Sequence, residues 1–256
     1  MILFHRDLGG AGRPPLVILH GFLGSSRNWQ TAGHDLAEAF QVSALDLRNH
    51  GGSPHAAEMT YEAMTADVLG WLDAQGLQRV TLLGHSMGGK VAMQLACRHP
   101  ARVDRLIIVD IAPKDYHWPE RREEFAAMNE LDLARLASRA EAERQLESRV
   151  PDWAMRKFLL TNLERGAGES WRWQINLPVL TAAIGALEKN SLGPDERFLR
   201  PTLFVTGGKS RYVHPTDAGE IRRHFPAAAI ATIPEAGHNP HMETRETFVR
   251  TVLAAN

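Results

Sequence analysis

The run Val80-Thr81-Leu82-Leu83-Gly84-His85-Ser86-Met87-Gly88-Gly89-Lys90-Val91 decides the fold. Its first four residues are apolar and β-rich, and Val91, Ala92, Leu95 and Ala96 then recur at helical spacing. A serine held in so sharp a strand-to-helix turn presents its hydroxyl at the strand's C-terminal edge. Gly84 and Gly88 sit two residues either side of Ser86, where a β-carbon would meet neighbouring backbone. The helix that follows offers free N–H groups and a positive dipole end to an oxyanion. A second reading uses the same residues. Gly84, Gly89 and Lys90 have the spacing of a phosphate-binding loop, but that loop needs Ser or Thr next to hold magnesium, and Val91 stands there. The nucleophile reading survives.

Outward from this turn, strand-like and helix-like segments alternate, the pattern of an α/β protein with a parallel sheet covered by helices. Strands are predicted at Leu16–Leu19, Gln41–Leu45, Val80–Leu83, Leu106–Val109, Thr202–Thr206 and Ala229–Ile233, and helices at 27–40 and 61–75. The alternation lapses from Ile111 to Arg200, where helical patterns occur and no strand is predicted. This excursion reads as a helical cap (113–200) inserted after the strand ending at Asp110, over a core made of 1–112 and 201–256. It holds Trp118, Trp153, Trp171 and Trp173. Packing of a small cap and lining of an apolar pocket both explain such residues. Glu120-Arg121-Arg122-Glu123-Glu124 reads as a solvated helix start.

With 256 residues, 44% hydrophobic and 23% charged, the composition is that of an ordinary globular protein. A net charge of −1 gives no electrostatic case for nucleic acid or an anionic membrane. The single cysteine, Cys97, excludes an intrachain disulfide and reads as a small buried residue. No apolar run approaches a membrane span, residues 1–7 do not read as a signal peptide, and a cytoplasmic location is the expectation.

Ser86 by itself would be an ordinary helix-starting serine. A serine hydroxyl is a weak nucleophile until a base takes its proton, and His238, in Ala236-Gly237-His238-Asn239-Pro240 after the last strand, is the candidate base. The acid that orients such a histidine is first sought in the loop after the penultimate strand. That loop, Gly207-Gly208-Lys209-Ser210-Arg211-Tyr212-Val213, holds no carboxylate. Asp110, at the tip of the neighbouring strand, is the candidate, with Asp217 as the alternative. The backbone N–H groups of Phe22, in His20-Gly21-Phe22, and of Met87 are candidates for an oxyanion hole. Asp46, Arg48 and His50 read as a loop stitched by its own hydrogen bonds. The histidines lack metal-ligand spacing, so no metal and no cofactor is expected.

These segments resemble the α/β-hydrolase superfamily, and more narrowly the small YbfF-type carboxylesterases. The matching residues are His20-Gly21-Phe22-Leu23-Gly24-Ser25, Asp46-Leu47-Arg48-Asn49-His50-Gly51, Gly84 to Gly89, Val109-Asp110-Ile111-Ala112-Pro113, Trp171-Arg172-Trp173-Gln174-Ile175-Asn176-Leu177 and Ala236-Gly237-His238. The resemblance implies a capped, mostly parallel sheet and hydrolysis of short- to medium-chain acyl esters, sometimes thioesters. It also favours an acid at Asp110. Some relatives are assigned an acid in the cap, where Asn176-Leu177-Pro178 offers none. Trp153, Trp173 and Tyr212 are candidate substrate contacts, whereas Lys209 and Arg211 read first as solvated loop cations, with anchoring of a coenzyme A leaving group as the alternative. The expected partner is a small acyl ester or thioester. A carbon–carbon bond hydrolase, a perhydrolase, or a receptor-like module with the same triad are the alternatives.

Overall fold

The computed structural model describes residues 1–166, 168 and 170–255. Seven strands form one sheet in the order β1-β3-β2-β4-β5-β8-β9. They are β1 (His5–Asp7), β2 (Pro15–Leu19), β3 (Gln41–Leu45), β4 (Val80–His85), β5 (Val103–Val109), β8 (Thr202–Gly207) and β9 (Ala228–Ile233). All neighbours are parallel except β1, which runs antiparallel to β3. The six predicted strands are all present. β1 was missed because three residues, only half buried, carry no alternation.

The central strands read as unbroken apolar runs because helices cover both faces. Val17, Leu19, Leu82 and Ile108 point into one core, with α2 (Tyr61–Ala74), α3 (Met87–Arg98) and α8 (Ala218–His224). Leu16, Ile18, Leu83 and Ile107 point into the other, with α1 (Gln30–Leu36) and with α10 (Arg245–Ala254), which follows the short α9 (Pro240–Glu243). The period of two in a strand makes this division. The helix predicted over 27–40 is shorter than expected. A 3-10 turn at Ser26–Trp29 precedes α1, and the chain leaves the helix after Leu36 so that Phe40 can be buried and Gln41 can join β3.

Between β5 and β8 lie α4 (Pro119–Glu130), α5 (Arg139–Leu146), α6 (Trp153–Leu160), β6 (Leu163–Arg165), β7 (Trp171–Trp173), α7 (Leu177–Leu187). The hairpin β6–β7 corrects the expectation of a strand-free excursion. Trp173 pairs with Leu163 and Trp171 with Arg165, a ladder too short to leave a periodic signal. The excursion is tied to the loops after β2 and β3 and to the first residue of α2. Asn162 Nδ2 donates to Leu23 O at 2.9 Å, Asn176 N to Asn49 O at 3.0 Å, and the Tyr61 hydroxyl to Leu187 O at 2.5 Å. Glu120–Glu124 is not simply a solvated start: Glu124 is buried and pairs with Arg121 at 2.6 Å. Among the described residues no helix is long and apolar enough to cross a membrane.

Candidate active site

Strand β4 ends at His85, and Ser86 turns the chain into α3 with φ 51° and ψ −117°, a left-handed geometry that non-glycine residues rarely adopt. Such strain persists only where the surroundings over-determine it. They do so here by close packing. A β-carbon on Gly84 would lie 2.3 Å from Gly88 O, and one on Gly88 would lie 2.5 Å from Leu19 O. The turn therefore presses against β2.

Parallel register brings the ends of β2, β4, β5, β8 and β9 to one edge, and with them residues far apart in sequence. His238 Nε2 lies 3.1 Å from Ser86 Oγ, and its Nδ1 lies 2.8 Å from Asp110 Oδ2. Asp110 is fully buried and also has a left-handed backbone, φ 49°. Its Oδ1 accepts Gly207 N at 2.9 Å, and its Oδ2 also accepts the Ser210 hydroxyl. Asp217 is engaged elsewhere, with Lys114 Nζ at 2.6 Å and His214 N at 2.8 Å. Burial pushes the His238 imidazole below the ordinary histidine range, opposed by the hydrogen bond and charge of Asp110. The His85 ring, 4.8 Å from that of His238, is pushed well below that range, first by burial.

The loop after β2 carries Phe22 past the elbow. Its shape is set by two buried histidines acting as acceptors: Leu23 N donates to His50 Nε2 at 3.2 Å and Leu47 N to His20 Nε2 at 3.0 Å. Accepting at Nε2 needs neutral rings, and burial holds His20 below its usual range and His50 down at about 3. Asp46 receives Ser26 N at 2.6 Å and Gly52 N at 2.7 Å, and Arg48 pairs with Asp67 at 2.6 Å. These residues build the loop, as expected of them. The N–H groups of Phe22 and Met87 find no acceptor among the described residues.

A cavity of about 970 Å³ opens onto Ser86 and His238. Its apolar wall comes from Phe22, Tyr116, Trp118, Met155, Phe158 and Tyr212. Tyr212 stacks on His238, with ring centroids 3.7 Å apart and planes 14° from parallel. Trp153 and Trp173 stand apart from this wall. Trp153 is 61% exposed beside Lys157, and Trp173 sits in β7. Among the described residues, five carboxylates (Glu120, Glu123, Glu124, Asp152, Glu243) and three guanidinium groups (Arg121, Arg149, Arg211) also line the cavity. Lys209 is outside it, in an exposed pair with Glu235 at 2.8 Å.

Lys90 does the opposite of what a phosphate-binding lysine would do. Its amine is fully buried and donates to Glu188 O at 3.2 Å and Lys189 O at 2.5 Å, within 5.9 Å of the Tyr61, Tyr116 and Trp118 ring centroids. Burial lowers its amine to about 7. It pins α3 to the end of α7, a role that sequence spacing could not reveal. Cys97 is half-buried, and burial pushes its thiol up to about 12, which favours the protonated thiol over the thiolate at neutral pH. No group of three histidine, cysteine or carboxylate residues among those described is arranged to hold a metal.

Known proteins agree with this architecture. Residues 14–244 match the family model of the alpha/beta hydrolase fold. The sn-1-specific diacylglycerol lipase ABHD11 of Mus musculus is 39% identical over 255 residues, covering 96% of this chain and 82% of that protein. Esterase YbfF of Escherichia coli K12 is 34% identical over 238 residues, covering 93% and 91%. A solved marine microorganism esterase superposes with a TM-score of 0.96 at 37% identity over the full length of both chains. The turn at Ser86, the parallel sheet and these likenesses lead to one conclusion: the chain is a hydrolase enzyme belonging to the α/β-hydrolase family.

Proposed function

We propose that this enzyme is a serine carboxylesterase acting on neutral acyl esters of short to medium chain length. One observation carries the reading: the relay from Ser86 Oγ through His238, 3.1 Å and then 2.8 Å to Asp110. Ser86 Oγ attacks the ester carbonyl while His238 Nε2 takes its proton, forming the O–C bond and moving the carbonyl electron pair onto oxygen. The N–H groups of Phe22 and Met87 receive that oxyanion. As the pair returns, the alkoxide leaves and is protonated by His238. Water, activated in the same way, then releases the acid from Ser86. Asp110 holds the tautomer with Nδ1 protonated and stabilises the imidazolium. Residues 113–200 act as a cap over the core of 1–112 and 201–256, closing the cavity over the acyl chain.

The lining supports a neutral substrate over a coenzyme A thioester. Carboxylates outnumber guanidinium groups in the cavity, and Lys209 is spent on Glu235 outside it. The apolar wall supports an acyl chain. The test is Ser86→Ala on p-nitrophenyl butyrate: a loss of about 10⁴-fold or more in kcat is expected, with the thermal transition retained. Turnover by that variant at the parent's rate overturns the assignment.

A further inference from the structure

Arg121 and Glu124 stand one turn apart on α4, and both border the cavity that holds Ser86. Phe125, next to Glu124, stacks on Phe22 with ring centroids 5.3 Å apart. Arg121 adjoins the Tyr212 hydroxyl, and the Tyr212 ring stacks on His238 at 3.7 Å. A charged pair is thereby set into the apolar wall of the site. Arg121 Nη1 donates to Glu124 Oε2 at 2.6 Å and meets Met155 Sδ at 3.4 Å, and the two side chains are only 15% and 9% exposed. Buried pairs add little stability over apolar side chains of the same volume. This one also keeps capacity in hand. No described residue donates to Glu124 Oε1, and the guanidinium has five N–H donors to share among Glu124, Met155 and Tyr212. Burial pushes the Glu124 carboxyl above its ordinary range, with Arg121 opposing it.

We propose that the Arg121–Glu124 pair selects esters carrying a free hydroxyl within the cavity, an inference that rests on the esterase reading above. A hydroxyl answers both partners at once: its oxygen accepts from the guanidinium and its proton goes to Glu124 Oε1. A ketone can only accept, and an ammonium can only donate. A carboxylate is repelled by Glu124. An alkyl chain excludes water and leaves both charged groups short of hydrogen bonds. A site that binds a hydroxyl rejects the analogue lacking it far more strongly than an apolar pocket rejects a missing methylene. Either half of the ester can bring the group. The pair's helix runs from Phe22, at the proposed oxyanion hole, to Tyr212, on the histidine that protonates the leaving alcohol.

The experiment measures kcat/KM, by titration of the released acid, for pairs of esters that differ by a single hydroxyl. One arm places it on successive carbons of the acyl chain, comparing methyl hexanoate with its hydroxylated counterparts. The other places it on the alcohol, comparing the hexanoates of ethanol and ethylene glycol. In at least one arm the hydroxylated ester is expected to exceed its counterpart by about 10-fold or more, and that arm identifies which half of the substrate is read. Arg121→Met combined with Glu124→Leu puts apolar side chains of similar volume in place of the pair and should bring the ratio down to about one. Each ratio is taken within one protein, so the parent's comparison stands even where the double variant fails to fold. Equal values within every pair for the parent, or a preference that persists in the double variant, overturns the inference. Ser86→Ala separates the two levels. Hydrolysis that survives it removes the esterase reading of Ser86, whereas Ser86-dependent hydrolysis with no hydroxyl preference removes only the role of the pair.

Discussion

Asp110 Oδ2 meets His238 Nδ1 at 2.8 Å although β8 lies between the strands that lead to them. The reach is possible because the intervening strand ends in Gly207 and is followed by Gly208. A β-carbon on Gly207 would sit 2.0 Å from Gly237 O, and one on Gly208 would sit 2.7 Å from Pro234 Cα. With no side chain at either position, the loops after β8 and β9 close together and the carboxylate passes to the histidine.

Replacing Asp110 with Asn tests this link. The variant keeps the shape but loses the charge and favours the wrong imidazole tautomer. A fall of about 10⁴-fold in kcat is expected for p-nitrophenyl esters. Rates within about twofold of the parent would move the role to another group.

On the proposed mechanism the pH dependence follows from the state of His238. Only the neutral ring accepts the Ser86 proton, and burial lowers its ionisation from the ordinary 6.5 despite Asp110. Because the pKa is lowered, kcat/KM should rise with pH to a plateau, its midpoint falling below pH 6.5. His85 stays neutral across this range and adds no second limb. A midpoint clearly above 6.5 contradicts this environment for the base.

Charge should discriminate among substrates. With carboxylates in excess around the cavity, p-nitrophenyl butyrate is expected to have about tenfold higher kcat/KM than the hemisuccinate ester, the gap narrowing as salt screens the lining. Preference for the hemisuccinate at low ionic strength would show that Arg121, Arg149 and Arg211 dominate the field instead.

Legibility differed between kinds of feature. The turn at Ser86 is legible because its glycines, the preceding β-run and the following helical spacing lie within a dozen residues. His238 stands out from its place after the last strand. The predicted strands were found because apolar runs buried on both faces leave a dense signal. The ladders at β1 and β6–β7 were too short to leave one. Trp153 and Trp173 are suggested by residue type alone, and type says nothing about the direction in which a helix or hairpin between β5 and β8 presents a ring.

The sequence by itself determined the sheet-and-helix order, the strained serine turn and the loops that carry its candidate partners, since each rests on steric rules acting over a few residues. Only the tertiary structure decided which acid stands beside His238, that Ser210 shares that acid's oxygen, that Lys90 faces the end of α7, and which aromatic rings wall the cavity. Those relations join residues about 100 or more positions apart, such as Asp110 with Ser210 and His238. They depend on strand order, register and the absence of side chains at Gly207 and Gly208, none of which is written in local spacing.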